Sequence, residues 1–167
     1  MDEIFPIVNE LGKVIGSATR EECHSGSNIL HPVVHVHLVR DGKLYVQKRS
    51  MEKDLLPGYW DTAVGGHVRL GETILDAVFR EAKEELGLDL KFEDVLFLGT
   101  YVSESNNERE LVHIYKTNYS GDIKWEDGEV IDGKFITKKE IEENGVMFTP
   151  NFLQDIQLKQ EFLFPIS

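Results

Sequence analysis

Residues 66–88 read GHVRLGETILDAVFREAKEELGL, and the run REAKEEL inside them constrains this chain more than any other stretch. The periodicity predicts a helix from Thr73 to Leu86, with Ile74, Leu75, Val78, Phe79, Ala82 and Leu86 forming its apolar stripe. Its ends are written in the sequence: Thr73 is a cap with Asp76 three residues on as a box-like partner, and Gly87 stands where a left-handed terminal residue belongs. At about 100° per residue, Glu81, Glu84 and Glu85 project within roughly 100° of one another at one edge of the stripe, where a helix leaves the core and borders a cleft. Like charges four apart repel by a few tenths of a kcal/mol. Spacing lets Arg80 pair with Asp76 and Glu84, but Glu81 and Glu85 have no basic residue three or four positions away. A cation is the missing piece.

The remaining sequence limits what that cation could serve. A length of 167 residues suits one domain able to bury a core without staples. With 18 Lys and Arg against 30 Asp and Glu, the net charge is −12, which argues against a nucleic-acid polymer as partner but admits a small anion once a divalent ion reverses the local charge. No apolar run approaches the roughly 18–20 residues of a membrane span. The acidic N-terminus, MDEIFPIVNE, has no basic or long apolar stretch of a secretory signal, and the single cysteine, Cys23, fits a reducing compartment. The expectation is a cytoplasmic protein. Cys23 reads as a small hydrophobe, since nothing nearby would depress its pKa.

The element order is strands, helix, strands, helix. IFPIV (4–8) and VIGSA (14–18) form a small hairpin; VVHVHLV (33–39) and LYVQK (44–48) form a stronger one around an Asp-Gly turn. YWDTAVGG runs into a glycine-rich bend before the helix. Strands follow at 95–103 and 110–119, then a strand and short helix over 133–145, then a final amphipathic helix opened by Thr149-Pro150. The domain divides into an N-terminal hairpin extension (1–28), a core (29–145) and a C-terminal helix (146–167). This order indicates an α/β fold, a mixed sheet covered by helices on both faces.

Gly66, five residues, Glu72, seven residues, then Arg80-Glu81-Ala82-Lys83-Glu84-Glu85-Leu86-Gly87-Leu88 resembles the signature of the Nudix hydrolases, the MutT-like family, a segment known as the Nudix box. Every charged and glycine position is filled, and Ala82 replaces a larger aliphatic residue. Pro57-Gly58-Tyr59-Trp60 resembles the common lead-in. The resemblance implies the Nudix α/β/α sandwich and hydrolysis of a diphosphate linkage in a small molecule, such as a nucleoside diphosphate linked to another moiety. It implies Mg²⁺ (or Mn²⁺) held by Glu81, Glu84 and Glu85, with Arg80 orienting them and Glu72 supporting the preceding loop. Mg²⁺ takes oxygen ligands, clamps phosphate oxygens and acidifies attacking water. Gly65 and Gly66 are expected to let the backbone bend tightly. For the general base, Glu81, Glu110 and Glu129 all remain open, with Glu81 first because its place is fixed by the signature.

A second resemblance is to type I isopentenyl-diphosphate isomerases, which share this fold. His24 and His31 lie seven residues apart, His67 follows Gly66, and Glu108-Arg109-Glu110 carries two acids separated by one residue. The resemblance implies a His₃Glu₂ site suited to Mn²⁺, Fe²⁺ or Zn²⁺; a structural role for these histidines is the alternative. The isomerase's essential cysteine would stand at Gly65, so the balance favours a hydrolase of an isomerase-like branch over an isomerase or a non-catalytic scaffold. Lys48-Arg49 resembles a basic pair that Nudix proteins place near substrate phosphates, and Tyr59 and Trp60 are pocket-wall or packing residues. His35 and His37 share one face of their strand and are expected to be interior histidines satisfied by hydrogen bonds, with His113 in a similar role.

Overall fold

A computed structural model describes residues 3–53, 56–124 and 130–165. The N-terminal hairpin is present as its own two-stranded sheet, β1 (Ile4–Val8) and β2 (Val14–Thr19). A single turn, α1 (Arg20–Cys23), follows it and was not expected. Asn9 closes the hairpin, its Oδ1 accepting from the backbone N–H groups of Leu11 and Lys13.

The central strand is β3 (Leu30–Arg40), buried along nearly its whole length. A strand buried on both faces reads as a continuous apolar run, and here the run is LHPVVHVHLV. It turns into β4 (Lys43–Arg49) through Asp41 and Gly42, both at positive φ (51° and 73°), the mirror-image turn that matches strand twist. Seven strands then assemble as a mixed sheet. Its path is β5 (Trp60–Thr62), β4, β3, β8 (Arg109–Thr117), β7 (Val95–Glu104), with β6 (Val64–His67) on β3 and β9 (Val130–Ile136) on β4. Among the described strands of this sheet, only the β3–β8 pairing is parallel.

β3 pairs with β4 only at Val39 and Arg40, and with β6 from Val33 to Val36. The sheet therefore splits beyond the hairpin, and the outer edge of β6 faces the gap. The segment expected to be a glycine-rich bend is thus two short strands, because Gly65 and Gly66 complete a ladder on β3.

Helix α2 (Ile74–Leu86) has the expected ends: the Thr73–Asp76 capping box is formed in both directions, and Gly87 is left-handed. Its Ala77, Val78, Ala82 and Leu86 pack on Val34, Val36 and Leu38, the even-numbered face of β3. The opposite face is covered by α3 (Lys138–Glu143) and α4 (Pro150–Leu163): Ile141, Phe152, Ile156 and Leu163 pack with Leu44, Val46, Trp60 and Ile136. Helices on both faces of a mixed sheet make the α/β/α sandwich. None of the described helices is long and apolar enough to cross a membrane.

Because Thr73 satisfies an otherwise orphan amide at the start of α2, Thr73→Ala is expected to cost about 1 kcal/mol. Urea unfolding of the two proteins checks this, with an unchanged slope.

Candidate active site

Arg80 organises the carboxylates of α2. Its Nε donates to Glu72 Oε2 (2.7 Å) and its Nη2 to Glu72 Oε1 and to the His67 carbonyl (both 2.9 Å). Nη1 reaches Glu81 Oε1 (2.6 Å) and Glu84 Oε2 (3.3 Å). Glu72 in turn accepts the Arg69 amide at 2.8 Å, tying the loop before α2 to the helix. The Arg80 guanidinium holds the Glu72 carboxyl below its usual range. Of the two partners that spacing allows, Arg80 takes Glu84 but makes no hydrogen bond or ion pair with Asp76, which is engaged in the cap, and its long side chain also folds back onto its immediate neighbour Glu81.

Glu81 and Glu85 are largely withdrawn from water. Burial raises the Glu81 carboxyl above its ordinary value although Arg80 opposes the shift. Glu85 is pushed well above it by burial and by the Glu81 charge, despite the Gly65 N–H donating to its Oε2 at 3.0 Å. Glu84 is half exposed. Gly66 has extended backbone, so its role is not the tight bend expected. A Cβ there would lie 2.2 Å from Glu81 Cδ. Gly66 is a glycine because the Glu81 carboxylate lies directly against it.

Beside this group the histidine set comes together from four elements. Ligand atoms of His24, His31, His67 and Glu108 all lie within 4.8 Å of one another. His24 Nε2 is 2.9 Å from Glu108 Oε2 and 3.2 Å from His67 Nε2. Glu110 completes the ring at 3.8 Å from His67 and 4.0 Å from His31. The parallel register of β3 and β8 sets His31 opposite Glu110. His31 is sealed from solvent; its Nδ1 faces the Ile29 carbonyl, and its Nε2 has no hydrogen-bond partner among the described residues but lies 3.7 Å from Glu108 Oε2.

Burial disfavours charge on His31, but Glu108, the Ile29 carbonyl and Glu110 outweigh it and raise its pKa. Burial, then repulsion from His31, depresses His67 strongly, and His24 is lowered chiefly by burial. Glu110 is pushed up to about 7 by burial and by Glu108. Phe5 of the N-terminal hairpin stacks flat on His67, with centroids 4.5 Å apart. That contact was not legible in the sequence.

On the other wall of the gap, Arg49 Nη1 lies 3.2 Å from Asp61 Oδ2, while Lys48 Nζ stands 5.9 Å from the Trp60 ring centroid. Trp60 is buried and packs with Phe148 and Phe152. Asp61 also accepts from Thr149 Oγ1, joining β5 to the start of α4. His35 and His37 are interior and both bond Asp155 of α4 (2.8 Å each), a residue the sequence reading passed over. His113 Nδ1 faces the Val33 and Leu111 carbonyls. Cys23 is fully buried and its thiol is pushed up to about 11 by burial, as befits an inert hydrophobe. Glu129 lies outside the described residues.

A split mixed sheet with a carboxylate-bearing helix across its gap defines a class of α/β sandwich domain with the box glutamates at one site. The chain belongs to the Nudix family: residues 29–156 match the NUDIX domain. It is 33% identical over 159 residues to the uncharacterized Nudix hydrolase YfcD of Escherichia coli K12, covering 93% of this chain and 86% of that protein. It is 36% identical over 131 residues to an uncharacterized Nudix hydrolase of Clostridium acetobutylicum, 74% of this chain and 63% of that longer protein. Among solved structures, DR0079 of Deinococcus radiodurans superposes with a TM-score of 0.78 at 22% identity, covering 93% and 98% of the two chains. A Francisella tularensis bifunctional NMN adenylyltransferase/ADP ribose pyrophosphatase complexed with AMP and a Mn ion shares the fold at a TM-score of 0.62 and 19% identity, over 79% of this chain and 41% of that one.

Proposed function

We propose that this protein hydrolyses the diphosphate linkage of a nucleoside diphosphate joined to another moiety, or of a related organic diphosphate, with Mg²⁺ or Mn²⁺ held by Glu81, Glu84 and Glu85. The observation that carries this reading is the pair of largely desolvated carboxylates Glu81 and Glu85, one against the Gly66 backbone and one on the Gly65 amide, both raised above their ordinary values chiefly by burial. Such a donor set, all oxygen and pre-oriented by Arg80, fits a hard divalent ion. The ion would neutralise phosphate charge and acidify water when bound. In the reaction, a water oxygen bonds to phosphorus, the bridging P–O bond breaks, and the water's proton passes to a carboxylate. Glu81 is the first choice for that base and Glu110, with its raised pKa, the second. The named activity of the Francisella relative, on ADP-ribose, supports the substrate class.

The test is ³¹P NMR of the purified protein with Mg²⁺ and, separately, Mn²⁺. The panel comprises nucleoside triphosphates, ADP-ribose, dinucleoside polyphosphates, sugar nucleotides and isopentenyl diphosphate. Loss of diphosphate signal with growth of monophosphates is the expected outcome; no change with any substrate in either metal would instead support a binding scaffold.

The convergence of His24, His31, His67, Glu108 and Glu110 favours a second metal site, for Mn²⁺, Fe²⁺ or Zn²⁺. His31 Nε2, with no hydrogen bond among the described residues but 3.7 Å from Glu108 and 4.0 Å from Glu110, and the close His24–His67 nitrogens are donors that one divalent ion would satisfy together. Such a site is what the isomerase-like branch would carry, while Gly65 supplies no thiol for isomerisation. After dialysis against each metal, the His24→Ala, His67→Ala double variant is expected to lose about one equivalent of bound Mn²⁺ or Zn²⁺ by elemental analysis. Unchanged metal content would assign these histidines to structure alone.

A further inference from the structure

Asp155 belongs to neither the helix carboxylates nor the histidine cluster, yet it is fully buried on α4. Its Oδ2 accepts from both His35 Nδ1 and His37 Nε2 at 2.8 Å, and its Oδ1 accepts from the Tyr101 hydroxyl. A simple staple between α4 and the sheet would explain one such bond. The two imidazoles, however, are not equivalent. His37 is sealed, and its Nδ1 has no partner among the described residues. A tenth of the His35 side chain remains open to solvent.

The orientation of His35 follows from its bond. With Nδ1 committed to Asp155, the opposite nitrogen, Nε2, is left to face away from α4. Its neighbouring ring carbon, Cδ2, lies 3.7 Å from where a Cβ of Gly65 would stand; beyond the adjoining residues of the chain, the Val34 carbonyl oxygen at 4.0 Å is the other described atom near that position. No side chain at 65 therefore covers the ring on its Cδ2 side, next to Nε2. The amide of the same Gly65 holds Glu85, so the residue that His35 packs against also touches a carboxylate of α2.

Charge supports the placement. Burial disfavours an imidazolium at His35, but Asp155, with Glu110 of β8 and Asp61 of β5 adding, overrides it and raises the group to about 9. The imidazole is thus set among the carboxylates of Asp155, Glu110 and Asp61, which favour its charged form, with His37 beside it on the same strand. Arg80 and Arg49, by contrast, lie against carboxylates of their own.

We propose that His35 contacts the substrate directly, donating Nε2–H to an anionic phosphate oxygen of the diphosphate beside Gly65, and that Asp155 is its positioning residue. This rests on the diphosphate reading above. It adds a contact from the sheet side of the gap, opposite the helix that carries the metal-binding glutamates.

The test uses methylenediphosphonate with Mg²⁺ as a non-hydrolysable probe, titrated calorimetrically at neutral pH. His35→Asn keeps an amide donor near the Nδ1 position and so the Asp155 bond, but removes Nε2. It is expected to fold like wild type and to bind the probe roughly tenfold or more weakly, the loss of one charge-assisted hydrogen bond. In wild type the His35 Nε2 resonance should move on probe addition in ¹⁵N NMR. Tyr101→Phe removes a different bond to Asp155 and is expected to bind within about threefold of wild type. Unaltered affinity in His35→Asn, an unmoved His35 resonance, or an equal loss in Tyr101→Phe would overturn the proposal. Wild type that fails to bind the probe at all would remove the diphosphate reading and this contact with it.

Discussion

Replacing Glu84 and Glu85 together by glutamine is expected to lower Mg²⁺-dependent turnover by about three orders of magnitude or more, equivalent to about 4 kcal/mol of transition-state stabilisation. The amides keep the shape of the helix face but remove two anionic oxygen donors. The same variant should be at least as stable as wild type without metal. Glu85 is largely withdrawn from water, and its carboxyl is raised well above the ordinary range, so the folded state holds a proton more tightly than the unfolded chain. For such a group, the folded state is favoured while the carboxyl is protonated, and stability falls as pH rises from the ordinary carboxylate range through the raised value. Metal-free wild type should therefore melt at lower temperature at pH 7 than at pH 5 from this contribution, and the double variant should show less of that slope. Thermal melts at the two pH values with a chelator, alongside initial rates with Mg²⁺, check both halves. Full activity in the variant would remove the box carboxylates from the mechanism.

Gly66→Ala is expected to produce the sharpest separation of activity from stability. The new methyl would stand 2.2 Å from Glu81 Cδ, closer than any real contact allows. What it meets is the end of a flexible side chain, so the fold yields by displacing the carboxylate instead of by unfolding. Glu81 then leaves its place beside Arg80 and the β6 backbone. A shift of about 1 Å in such a group is enough to cost roughly 100-fold in rate. Initial rates should fall by about that factor while the melting temperature moves by only a few degrees. Gly65→Ala would leave Glu81 in place, its methyl meeting only ordinary contacts at 3.7 Å from His35 and 4.0 Å from the Val34 carbonyl, so a loss there would report on the His35 side of the gap and not on a displaced Glu81.

Much of this fold was legible because its signals are local. The ends of α2 follow from Thr73, Asp76 and Gly87, each acting on backbone groups within a few residues of itself. The Asp41-Gly42 turn is likewise a property of two residues that tolerate positive φ. Alternation along β3 placed His35 and His37 on one face, and both are interior and hydrogen-bonded as expected. The glycines at 65 and 66 were misread as a bend for the same reason turned around. Local sequence registers their permissive backbone, whereas what selects Gly66 is the Glu81 carboxylate arriving from a helix fifteen residues later. Helical spacing gave Arg80 its Glu84 partner but also Asp76, which it does not touch, because spacing describes neighbours on a helix surface and says nothing of Glu72 and the His67 carbonyl, which the preceding loop brings back.

By itself, then, the sequence determined the α/β alternation, the capped helix with its clustered glutamates, and the family to which they belong, since these depend on spacing within short segments. Only the tertiary structure decided which groups meet: Phe5 on His67, His31 opposite Glu110, and Asp155 under His35. Those meetings depend on strand register, on the split between β3 and β4, and on the docking of α4, and burial at each of them sets how strongly the charges act.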